Sequence, residues 1–492
     1  MIRGMGDNRE SQERHTATRR AFLSTSAVTA AVTAAAAVPL VGAQPALADN
    51  RWSDPPVAGP GRRLGSQRPS AALRRALREV DADRIEADVR RLAAFGTRHT
   101  LSTQTDPVRG IGAARDWLFD QFSAIAARSG GRMTVEKQSF TQPVSPRVPT
   151  PTVITNVIAT LRGTVSPERV YVLTGHYDSR ITDVMNFTDD SPGADDDASG
   201  VAILLELARV LAGRPLASTL VLGAVAGEEQ GLYGSIFMAQ QMKDANTDIQ
   251  GMFSNDIVGA SRADDGTREP RVIRLFSEGV PTSETPAQGN TRRSVGGEND
   301  SASRQLARFV DAVADNEETD MHVRVIWRRD RYLRGSDHIS FLERGYPAGR
   351  FTEPNEDFAH QHQDVRVDET GKQFGDLPEF CDFNFIARVA KVNLATVWSL
   401  SEAPGTPKGV IIVTTNLTND TQLRWQANPD PDLAGYEVVW RETREDDWTT
   451  VIDVGNVTET IINLSKDSVF FGVRAYDRDG HRSPVAFPIP GT

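Results

Sequence analysis

The chain has 492 residues, 39% hydrophobic and 25% charged, with 39 Gly and 27 Pro, a globular balance with neither a collagen-like nor a disordered bias and room for two or three domains. Acidic residues outnumber basic ones by 66 to 55, a net of −11, so bulk charge gives no reason to expect a nucleic-acid or anionic-membrane surface. The single cysteine, Cys381, excludes an intrachain disulfide, a cysteine-rich zinc finger and a thiolate-ligated cluster, which leaves His, Asp and Glu as donors for any metal.

Residues 1–48 read as an export signal. Polar residues run to Arg14, followed by Thr18-Arg19-Arg20-Ala21-Phe22-Leu23, an Ala- and Thr-rich apolar stretch to Val41, and the small-residue pattern Ala46-Leu47-Ala48 before Asp49. The arginine pair with Phe-Leu resembles a twin-arginine signal, which implies a secreted protein, extracellular or periplasmic, with no membrane span. Residues 49–69 are polar and rich in Pro and Gly, a flexible arm.

Order is expected from Ser70. Ala71 to Phe95 carries Leu73, Leu77, Ile85, Val89 and Leu92 at helical spacings, broken near Asp81 to Asp83, and Ile111 to Ala127 places Trp117, Leu118 and Phe122 on one helical face. Strand-like runs at Val153 to Leu161, Val170 to Thr174, Ser218 to Ala226 and His322 to Trp327 then alternate with helical patterns at Ser199 to Leu211, Leu232 to Lys243, Ala302 to Val313 and Phe383 to Leu400. This alternation predicts an α/β catalytic domain over residues 70–403, a layered and largely parallel sheet flanked by helices. Its functional residues belong at the carboxyl ends of strands. Ser261 to Asp300, polar apart from a strand-like run at Val272 to Phe276, reads as an excursion. Beyond Pro404, short alternating runs such as Tyr436 to Arg441 and Phe470 to Tyr476, separated by turn residues, predict a small all-β sandwich over residues 404–492.

Five stretches concentrate polar chemistry. Val172-Leu173-Thr174-Gly175-His176-Tyr177-Asp178 is an apolar strand ending in His-x-Asp, where the ring can face a metal while a carboxylate two residues on fixes the tautomer. Ala194-Asp195-Asp196-Asp197-Ala198-Ser199-Gly200 opens a helix; one aspartate would cap it, whereas three suggest a carboxylate bridging two cations. After the strand Leu220 to Ala226 comes Gly227-Glu228-Glu229-Gln230-Gly231. Adjacent strand residues point to opposite faces, so both glutamates reach one site only from a loop, where a cation binding one would leave the other as a base. The remaining two are Asn255-Asp256 and the His-, Asp- and Glu-rich segment from Ser336-Asp337-His338 to His360-Gln361-His362-Gln363-Asp364.

In this order the stretches resemble the secreted dizinc aminopeptidase family, over roughly Ser70 to Leu400. The resemblance implies a zinc exopeptidase fold, two zinc ions and peptide substrates with free N-termini. Carried over, His176 and Asp256 bind one zinc, Glu229 and His360 the other, and Asp196 bridges them; Asp178 orients His176 and Glu228 is the general base. His362 is a rival to His360, which is preferred for its spacing to Asp364, and Asp195 and Asp197 are rivals to Asp196. Glutaminyl cyclases, zinc transferases on the same fold, share a His-Tyr-Asp-Ser-like stretch and give the alternative activity, and a catalytically silent binding protein is a third reading. Trp425, Pro429 to Val438 and Phe471 to Asp477 resemble a fibronectin type III domain, which implies a module that binds a surface or polymer.

Overall fold

The computed structural model describes residues 56–492; the export signal expected over residues 1–48 and the first part of the expected arm lie outside the described residues. At the start of the described chain, Arg62–Arg63 (β1) pairs antiparallel with Val451 and Thr450. Trp440 Nε1 donates to the Pro60 carbonyl at 2.8 Å, and the Val57 amide donates to Glu442 Oε1 at 2.9 Å. The segment expected to be a flexible arm is therefore tied, from Val57 on, to the C-terminal sheets, with a two-residue edge strand at Arg62–Arg63. Its glycines shape a close approach: Gly61 has φ +117°, and a Cβ there would sit 2.8 Å from the Val451 carbonyl.

Helices α1 (Ala71–Leu77) and α2 (Ala82–Ala93) part where Asp81 Oδ1 accepts from the amides of Asp83 and Arg84 at 2.8 and 3.4 Å. The expected break is thus an N-cap. Helix α3 (Gly110–Ala126) buries Leu118 and Phe122. The strands β2 (Met133–Gln142), β3 (Thr152–Leu161), β4 (Ser166–His176), β5 (Ser218–Val225), β6 (Asp248–Asn255), β7 (Val272–Ser277), β8 (His322–Ile326) and β9 (Ala348–Thr352) form one eight-stranded sheet, in the spatial order β2-β3-β5-β4-β6-β9-β7-β8. Its centre, β5-β4-β6-β9, is parallel, while β2–β3, β3–β5 and β7–β9 are antiparallel. With β7–β8 also parallel, four of the seven pairings are parallel, as expected, and the antiparallel ones mark where each flank turns back on the parallel centre. The expected excursion contributes β7 to the sheet.

Period-two alternation sends the side chains of each central strand to opposite faces. On β5, Leu220, Leu222 and Ala224 join the cluster packed by α2, α3 and the helices Gly200–Leu211 (α4) and Phe383–Glu402; Val221 and Val225 join a second cluster with Met238, Phe341 and Leu342. Helix α4 is apolar nearly all round and buried accordingly. Its one buried acid, Glu206, pairs with Arg84 at 2.6 Å. Beyond the last helix, seven strands, joined by β1 at one edge, form two four-stranded sheets that enclose a separate core including Trp425, Tyr436, Val438 and Phe471.

Candidate metal centre

The parallel strands bring the chemistry together at their carboxyl ends, as such sheets do. Strand β4 ends in His176, the turn after β5 carries Glu228 and Glu229, Asp256 follows β6, and Asp196 lies in the turn before α4. His176 Nε2 lies 3.0 Å from Asp196 Oδ1 and 4.0 Å from Asp256 Oδ1. Across the same carboxylate, His362 Nε2 lies 2.8 Å from Asp196 Oδ2 and 3.1 Å from Glu229 Oε1. Two donor groups result, His176–Asp196–Asp256 and Asp196–Glu229–His362, with the ligand atoms of each within 4.8 Å of one another. Asp196 gives one oxygen to each.

The aspartate run divides its work. Asp195 Oδ1 accepts from the Gly259 amide at 2.6 Å; Asp197 accepts from the amides of His176 at 2.9 Å and Gly200 at 3.0 Å. Only Asp196 faces the histidines. The turn is held by Asp376, whose two oxygens accept from the amides of Asp195 and Asp196 at 2.8 and 2.9 Å. A lone Asp in Phe374-Gly375-Asp376-Leu377 carries no signal of this role in sequence.

Gly227, at φ +76°, turns the chain out of β5 so that the adjacent glutamates start a short helical turn rather than continue the strand. Asp178 clamps that turn: its carboxylate accepts from Thr100 Oγ1 at 2.9 Å and from the amides of Glu228 and Glu229 at 3.3 and 3.2 Å. It orients His176 chiefly through its backbone carbonyl, 3.1 Å from Nδ1, with the carboxylate at 3.6 Å.

One expected ligand is misplaced by sequence spacing. His360 stacks on Phe380 with ring centroids 3.6 Å apart and lies 3.4 Å from Asp357, away from Asp196 and Glu229. His362 takes its place. A turn in which the amides of His360 and Gln361 both donate to the Asp357 carbonyl folds His360 back, and His362, at φ +54°, points into the cleft.

Residues 156–373 match Peptidase family M28. A probable zinc metalloprotease of Pyrenophora tritici-repentis is 52% identical over 438 residues, covering 89% of this chain and 90% of the relative. Another, from Leptosphaeria maculans, is 53% identical over 423 residues, 86% and 98% of the two chains. The chain belongs to peptidase family M28. Among solved structures it is similar to the Legionella pneumophila LapA aminopeptidase, with a TM-score of 0.47 at 16% identity over 67% of this chain and 74% of that one.

The donor set of this M28 centre fits zinc: imidazole nitrogens and carboxylate oxygens, crowded in a way that uncompensated carboxylates would resist. Burial disfavours charge on His176, yet its bonds to Asp178 and Asp196 raise its pKa well above the usual value. Burial likewise opposes charge on His362, but Glu229 and Asp196 push it up to about 10. Burial drives the Glu228 carboxyl well up, with Asp256 and Glu229 adding to the effect. Arg350, fully buried on β9, donates to Asp256 Oδ1 at 2.9 Å and reaches Asp330 at 3.3 Å. It fixes Asp256 from behind, a role betrayed in sequence only by a charge inside Ala348-Gly349-Arg350-Phe351.

Proposed function

We propose that this M28 zinc metallopeptidase is a secreted exopeptidase that removes residues from the free amino termini of peptides. One observation carries the reading: Asp196 presents Oδ1 to the His176 group and Oδ2 to the His362 group, as a carboxylate shared by two zinc ions must. The relatives named as zinc metalloproteases support the metal. The zinc pair, when bound, polarises the scissile carbonyl and acidifies a water. Glu228 lines the same cleft as Asp196 and Glu229, and its carboxylate takes the water's proton and returns it to the leaving amine. Asp178 keeps the Glu228–Glu229 turn and the His176 ring in register, and Arg350 holds Asp256. Export rests on the Thr18 to Leu23 segment.

The test is zinc content together with turnover of free and N-acetylated aminoacyl anilides and of peptides with N-terminal glutamine. Two zinc ions with cleavage of free-amine substrates alone is the expected result. One zinc with glutamine cyclisation would overturn it in favour of a cyclase.

A further inference from the structure

Six arginines, Arg147, Arg180, Arg328, Arg329, Arg331 and Arg334, line the cleft of about 740 Å³ that holds the candidate metal ligands. This runs against the chain's bulk charge of −11. Three are spoken for: Arg180 Nε lies 3.2 Å from Glu229 Oε2, and Arg331 and Arg334 both reach Glu356 at 3.1 Å. The other three are exposed, and among the described residues none has a carboxylate oxygen within 4.0 Å. Arg147 donates to the Glu229 carbonyl at 2.8 Å, Arg328 lies over the Tyr332 ring at 4.1 Å, and Arg329 reaches Thr282 Oγ1 at 3.4 Å.

The cleft's carboxylates do not cancel these charges. Asp196, Glu228, Glu229 and Asp256 are the candidate ligands and base, and two dications would offset them; Asp330 is buried between Arg350 and Arg331 at 3.3 and 3.4 Å. What is left for an arriving peptide is the three guanidinium groups of Arg147, Arg328 and Arg329. A guanidinium is a planar fork matched to a carboxylate, and one sign of charge focused in a cleft raises the local concentration of the opposite sign.

We propose that this cleft selects peptides carrying a carboxylate next to the scissile bond, held by Arg328, Arg329 and Arg147. The inference rests on the exopeptidase reading and names its substrate class. Two sources offer that chemistry: an Asp or Glu side chain, or the C-terminal carboxylate of a short peptide.

The experiment compares kcat/KM of the zinc-loaded full chain on Leu-Glu amide, Leu-Gln amide, Leu-Gln with a free C-terminus, and Leu-Lys amide. A preference of about tenfold for Leu-Glu amide over Leu-Gln amide, the scale of a charge-assisted hydrogen bond, assigns the side chain; the same preference for Leu-Gln acid over its amide assigns the C-terminus. In either case the ratio should fall at least about fivefold in R328A/R329A, be partly restored in R328K/R329K, and shrink with salt. Both ratios near one, or a ratio unchanged in R328A/R329A, overturns the proposal while cleavage of Leu-Gln amide leaves the exopeptidase reading standing. No cleavage of any of the four with two zinc ions bound defeats that reading, and the proposal with it.

Discussion

Replacing His362 with alanine separates the structure's ligand from the one that motif spacing favours. The Nε2 atom of His362 is the single nitrogen donor of its group, 2.8 Å from Asp196 Oδ2 and 3.1 Å from Glu229 Oε1. Loss of a mere outer partner of a metal ligand costs about 10–100-fold in affinity, so loss of the ligand itself should cost at least about 100-fold, or about 2.8 kcal/mol. His362→Ala should retain one zinc per chain, at the His176 group, after dialysis against graded chelator, with elemental analysis as the readout. His360→Ala should keep both ions and lose only the ring stacked 3.6 Å from Phe380, about 0.5–1.5 kcal/mol of stability, read as a small drop in Tm. The opposite pattern, a zinc lost in His360→Ala and both kept in His362→Ala, would refute the geometry.

Glu228→Gln should keep both metals and the native Tm while lowering turnover by about 100-fold or more; near-normal turnover with metal retained removes Glu228 as the base. Asp196→Ala removes the carboxylate shared by both groups and should leave the dialysed protein without stoichiometric zinc, so unchanged metal content would show that another aspartate bridges. His362 is pushed up to about 10 and His176 well above its usual value; both therefore carry a proton near neutral pH, and because zinc takes only the neutral ring, uptake must release protons and tighten as pH rises. Calorimetry at about pH 7.5 in two buffers of different ionisation enthalpy checks the sign, and identical heats would contradict it. Asp430→Ala strands Arg169, now 2.7 Å away with both side chains buried, and should cost about 3 kcal/mol; an unchanged Tm would count against the docking of the C-terminal sheets.

What could be read from sequence follows burial. Strands β4 and β5 are buried on both faces and appear as continuous apolar runs, so their ends, and with them His176, Glu228 and Glu229, were legible. Strand β2 is an edge strand that buries only Met133, and after Val135 the run Glu136-Lys137-Gln138-Ser139 carries no apolar period. Strand β9 is hidden by Gly349 and Arg350; a buried arginine is tolerable there only because Asp256 and Asp330 meet it, and neither is near it in sequence. The His360 and His362 choice turns on a local backbone turn, a feature to which residue spacing is blind.

The C-terminal sheets were legible as a separate unit because their turn spacing changes, yet their attachment was not, since it is made by pairs far apart in sequence. Arg169 and Asp430, 261 positions apart, and Arg441 and Asp300, 141 apart, form buried ion pairs at 2.7 and 2.6 Å. Trp448 Nε1 adds a bond to Gln305 Oε1 at 2.8 Å. Arg169 lies near the amino end of β4, and the same strand ends in His176, seven residues on, about 23 Å at the rise of an extended chain. One strand thus runs from the anchor of the C-terminal sheets to a candidate zinc ligand. Cutting the chain at Pro404 would leave Arg169, near the foot of that strand, without Asp430, and Asp300 without Arg441, so the first loss should be stability, with the chemistry at the far end of β4 failing only as that strand loosens.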